Sequence, residues 1–279
     1  FKKKDFSKAI ELFKKAIALG LKDAILYLWI GQSYDGKDDW DNAIANYKKV
    51  IELDPSDIWV YYSISKHYQD KSDFNLAHKN TDEIISRKPD YFLGHAQKGW
   101  IYLAEHQYDE AEKSFIKASE YTFDKDSSGF RYIIQFYREW SKGLAAYYRD
   151  NLIAAQNCFV SARNCLNQAP DYLKDVKEII YIDKSIEAYL QIVPSDNNLK
   201  QVLKEPAKIP ENYKIIEALY NTFKGLHQTW QQTNPELKEI HLLLGIKRDV
   251  CRVLLPPEFS EAIPIGQAEP LIRQIESAH

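Results

Sequence analysis

Methionine is absent from this 279-residue chain, and glycine, proline and cysteine are few, at 10, 11 and 3. Scattered glycines leave no phosphate-cradling loop: neither G-x-x-x-x-G-K-[ST] nor G-x-G-x-x-G occurs, and G-x-S-x-G and H-E-x-x-H are also missing. The three cysteines, Cys158, Cys165 and Cys251, are odd in number and widely spaced. They do not form a disulfide framework, and they fit a reducing, cytoplasmic setting. No apolar run reaches the ~18 residues of a membrane span. The net charge is −3, with lysines and acids interspersed, so no basic face for nucleic acid is advertised.

What the chain does have is 45% apolar residues arranged with helical spacing and punctuated at a fixed interval. Moving along by 34 residues, Ala9 becomes Ala43, Ala77 and Ala111. Tyr34 becomes Tyr68 and Tyr102; Gly31 becomes Ser65 and Gly99; Pro55 becomes Pro89; and Phe13 becomes Tyr47, Thr81 and Phe115. Small residues let two helices of a hairpin approach closely, aromatic rings fill the gaps between hairpins, and proline ends the second helix. One such hairpin cannot bury its own apolar face, so stacking is compulsory.

In this order of small, aromatic and proline positions the chain resembles the tetratricopeptide repeat (TPR) family over about residues 1–170. The resemblance implies an all-α solenoid. Repeats run over about 24–57, 58–91 and 92–125. A further hairpin follows, with Gly143, Ala155, Phe159 and Ala162 in corresponding positions after about ten extra residues near 124–130. The register opens in the second helix of a repeat, Asp5 to Gly20, whose first helix would precede Phe1, so the chain reads as a piece of a longer solenoid.

After Pro170 the rhythm is lost, and no family is recognised in residues 171–279. Residues 171–193 read as a helix capping the solenoid, so the first domain is placed at 1–193. Pro194, Pro206 and Pro210 punctuate a stretch taken as a linker, 194–210. The remainder, 211–279, reads as helices near 211–233 and 236–254. Extended chain follows from Pro256, where a short segment holds four of the eleven prolines.

Catalytic constellations are not apparent. Cys158 and Cys165 share a helix face without further ligands nearby, which favours buried small residues over half a metal site. His241 and Cys251, ten residues apart on one helix, lie about 15 Å apart along its axis, too far for a Cys–His pair. The expectation is a non-enzymatic chain without cofactor or metal.

The TPR resemblance implies that first helices line a concave groove for a protein or peptide. By register that groove holds Trp29 and Gln32, then Trp59, Tyr62 and Lys66, then Gln97 and Trp100, then Tyr137 and Trp140. Four of the six tryptophans fall there. They read either as anchors for a ligand's apolar side chains or as rings packed against the next hairpin or a covering helix. Binding of a chaperone C-terminal carboxylate is excluded, because Leu28, Gln32, Ser63, Leu93 and Gln97 occupy the family's clamp positions and supply no cation. A second reading is a sensor or scaffold part of a larger protein, with residues 256–279 packing on the groove.

Overall fold

The hinge between paired helices sets the architecture. Among the described residues, four that are not glycine adopt left-handed backbone conformations, Asp38 (φ 60°), Ser72 (59°), His106 (59°) and Asp150 (63°). Their spacings are 34, 34 and 44 residues (72 − 38, 106 − 72, 150 − 106), which are the repeat interval and the interval lengthened by ten. At each hinge the next amide donates back to a carbonyl five residues earlier: Asp39 to Tyr34, Asp73 to Tyr68, Gln107 to Tyr102 and Asn151 to Ala146. A residue in the left-handed region reverses the chain and frees the following position to cap the next helix. Asp39, Asp73 and Asn151 do this by accepting from the amides of Asn42, Leu76 and Ala154. Of the hinge acids, Asp39 and Asp73 are therefore caps, whereas Asp38 and Asp150 are the left-handed residues that precede a cap.

A computed structural model describes residues 3–21, 23–122 and 129–256, and over these the protein is all-α. The helices are α1 (Lys3–Ala18), α2 (Ala24–Asp35), α3 (Trp40–Leu53), α4 (Ile58–Asp70), α5 (Phe74–Arg87), α6 (Phe92–Ala104), α7 (Tyr108–Glu120), α8 (Phe130–Tyr148), α9 (Leu152–Gln168), α10 (Asp171–Lys174), α11 (Lys177–Leu203), α12 (Tyr213–Thr233) and α13 (Lys238–Leu254). Two compact units divide inside α8, after Ile134.

In the first unit α2 packs on α3, α4 on α5 and α6 on α7, while α1 covers α2 and α4 also meets α6. Close approach within a hairpin follows one rule. A Cβ on Gly31 would strike the ring of Tyr47, and one on Gly99 would strike Phe115, in each case sixteen residues on. These rings, with Ala43, Ala77 and Ala111, are fully buried. In the second unit Gly143 and Phe159 repeat the contact between α8 and α9.

Beyond α9 the second unit departs from the repeat. α11 packs on α9, α12 and α13, and α12 pairs with α13. Residue 194, expected to open a linker, lies inside α11, which continues to Leu203. Pro194 cannot donate to Leu190, so one helical bond is lost. Burial of Ile192, Val193, Leu199 and Val202 on both sides of it holds the helix together. The chain then turns through short 3-10 segments at Pro206–Lys208 and Pro210–Asn212. The extra residues expected near 124–130 lie mostly outside the described residues.

Candidate functional site

The expected groove residues separate by burial. Trp29 and Trp59 are exposed, at 41% and 57% of their surface, as are Gln32 and Lys66. Tyr62 and Trp100 are half-buried. Gln97, Tyr137 and Trp140 are interior, at 1%, 8% and 7%, and cannot line a groove.

Trp59 occupies the first turn of α4, whose cap Asp57 accepts from the Trp59 amide. Its indole is met edge-on by Tyr62 (ring centroids 6.2 Å apart) and Tyr91 (6.0 Å). Tyr91 continues to Phe92 at 5.9 Å, and the Lys88 ammonium lies 5.2 Å from its ring. Burial pushes the phenols of Tyr62 and Tyr91 upward in pKa, so both stay neutral donors. The result is an aromatic cluster with one face open to solvent. Tyr91 and Phe92 were missed by register, because Tyr91 precedes its helix and Phe92 opens it, and the repeat pattern assigns groove positions within helices.

Trp29 rests on Phe13 of α1 with ring centroids 5.2 Å apart. Trp100 turns its edge to Phe115 at 6.2 Å, and its backbone carbonyl accepts from Gln69.

Gln97 is buried because the hairpin it meets is polar inside. Its amide donates to Gln69 Oε1 (2.9 Å) and reaches Ser65 Oγ (3.4 Å). Trp140 is buried because a later helix covers it, and its ring packs on Phe159 (5.4 Å) and on Tyr189 of α11 (5.7 Å). Tyr137 lies beside Phe136 in the same hairpin at 5.4 Å. Residues 257–279, nearly all of the segment expected on the groove, lie outside the described residues.

No metal-type cluster of three or more His, Cys, Asp or Glu side chains occurs among the described residues. Among them, too, no helix is long and apolar enough to cross a membrane. Cys158 is buried and Cys165 half-buried. His241 bonds to the Asn234 carbonyl at 2.9 Å.

An all-α stack of helical hairpins with a repeated hinge defines a helical-repeat protein. Family models match at residues 36–71, described as TPR repeat, and at 94–125, described as tetratricopeptide repeat. The chain therefore carries tetratricopeptide repeats over these two segments. Among solved structures it is similar to the C-terminal part of a TPR repeat-containing protein from Cytophaga hutchinsonii. There the TM-score is 0.50 and identity 16%, over 92% of this chain and 93% of that one. It is also similar to PilW, a type IV pilus biogenesis factor (TM-score 0.48, 17% identity, 79% and 98% covered). A third similarity is to Pseudomonas aeruginosa pilF (0.45, 13%, 80% and 96%). At 16% identity the likeness to the Cytophaga hutchinsonii protein is one of fold alone. No curated protein matches the chain.

Proposed function

We propose that the first unit, as a protein-interaction module of the tetratricopeptide-repeat kind, binds a peptide segment of a partner protein on its first-helix face and acts by binding, not catalysis. The observation that carries this is Trp59, a large ring left mostly in solvent on a capped helix and braced by Tyr62 and Tyr91. A rigid, exposed aromatic loses little conformational freedom on binding and removes much apolar area from water when covered, which is the profile of an anchor residue. Lys66 and Gln32, both exposed on first helices, supply polar contacts around such an anchor. A partner side chain of aromatic, leucine or proline type suits the open face.

The test uses peptides selected from a random library on the wild-type chain. Trp59→Ala and Tyr91→Ala should each weaken the selected peptides about tenfold or more, with thermal unfolding little changed. Peptides held equally well by both variants would overturn the reading, and so would a failure to select any.

A further inference from the structure

The second unit contains a cavity of about 610 Å³ that the repeat does not account for. Its apolar wall comes from one stripe on each of two helices: Leu199 and Leu203 of α11, and Leu243, Ile246, Val250 and Val253 of α13. Each set follows three- and four-residue steps, so each is one helix face. These faces stay partly open, for Leu203 is 39% exposed and Ile246, Val250 and Val253 are half-buried. A volume of this size lies within the ~300–1,000 Å³ typical of sites for small organic ligands.

The charged lining is organised. Asp196 is fully buried and takes three partners: Lys247 Nζ at 2.7 Å, Tyr147 Oη at 3.1 Å, donating, and Lys200 Nζ at 3.8 Å. Lys200 also pairs with Asp150 at the rim. The lining therefore holds three lysines, with Lys204, against two carboxylates, an excess of one positive charge. Lys204 is exposed and makes no ion pair among the described residues. The apolar stripes thus end beside a cation that has no carboxylate of its own, which complements a ligand with an apolar body and a single anionic head.

We propose that this cavity binds an unbranched alkyl carboxylate, its chain laid between α11 and α13 and its carboxylate at Lys204. The buried Asp196 group fixes α8, α11 and α13 around the space and leaves Lys204 as the recognising charge. The site is independent of the peptide-binding face proposed for the first unit.

The full chain is titrated calorimetrically with octanoate, decanoate and decanol. Decanoate should bind one to one, about sixteenfold tighter than octanoate, since each buried methylene contributes about fourfold. Lys204→Glu, at an exposed position, should weaken decanoate about fivefold or more and leave decanol unchanged. Val250→Trp, which fills the space, should abolish binding of both. If that variant does not fold, Leu203→Trp at the more exposed mouth serves the same purpose. Absence of heat at millimolar decanoate would overturn the site. So would unchanged binding by a folded cavity-filling variant. Equal loss of decanol and decanoate on Lys204→Glu, or loss of neither, would overturn the assignment of the carboxylate to Lys204.

Discussion

Ser65 and Thr81 face each other across the α4–α5 hairpin with their hydroxyl oxygens 2.7 Å apart, both fully buried. They occupy the positions at which Gly31 meets Tyr47 and Gly99 meets Phe115. Ser65 gives its proton to the Ala77 carbonyl at 3.0 Å, so Thr81 donates to Ser65. A polar pair has replaced a small–aromatic pair at one rung of the stack. Each single change, Ser65→Gly or Thr81→Phe, should cost about 1–3 kcal/mol by orphaning a hydroxyl or overpacking the rung. The double change recreates the neighbouring rungs and should recover at least ~1 kcal/mol, measured as non-additivity in urea unfolding. Strict additivity would show that the two sites are not coupled.

Exposure separates two tryptophans that share a register rule. Trp140→Ala should cost about 3–5 kcal/mol in equilibrium unfolding, as expected for removing a packed indole. Trp59→Ala should cost less than ~1 kcal/mol, because its ring leaves little area buried to lose. Similar losses for both would place Trp59 in the core.

The hinge residue Ser72 is exposed and has φ 59°, so its backbone can be tested without disturbing packing. Ser72→Val should destabilise by about 1–2 kcal/mol, because a β-branched side chain is poorly tolerated in the left-handed region. Ser72→Gly should be neutral or stabilising in the same thermal melts. A neutral Val would argue against a left-handed hinge.

Cysteine reactivity follows burial. Burial pushes the Cys251 thiol up to about 12, outweighing the opposing effect of Lys247, and also raises that of the half-buried Cys165. Alkylation at pH 8 should label Cys165 before Cys251, and Cys251 only on unfolding. Mass spectrometry of a time course decides this, and early labelling of Cys251 would contradict its packing.

His227 supplies a pH dependence. Its pKa is lowered from 6.5, first by burial and then by Arg248 and His241, with Asp249 opposing. Arg248 Nη1 lies 3.4 Å from Nδ1 and can only donate, so Nδ1 is the unprotonated acceptor. The unfolded chain therefore binds a proton at higher pH than the folded one does. The stability this contributes is present above pH 6.5 and is lost as the pH falls through the folded value. His227→Gln should flatten that part of the dependence of melting temperature on pH, and an unchanged slope would remove His227 as its source.

Much of the first unit was legible because helix pairing repeats. A 34-residue interval carries its own register, so Gly31, Ala43 and Tyr47 declare their packing partners through Gly99, Ala111 and Phe115. Pro194 misled because local propensity argues for a break, whereas burial on both sides of it carries α11 through. Gln97 misled because its position is set by the polar rung at Ser65, and a pattern of residue types does not show which rung is polar.

The sequence alone determined the helical class, the hinge spacing and the residues that bring each pair of helices together, since these are local and periodic. Only the tertiary structure decided which aromatic rings remain in solvent. Periodicity assigns a side chain to a helix face but not what covers that face: α11 covers Trp140, while Trp59 keeps an open side. The Asp196–Lys247 pair and the cavity beside it likewise join residues far apart in the chain, outside any repeat, where no sequence interval could announce them.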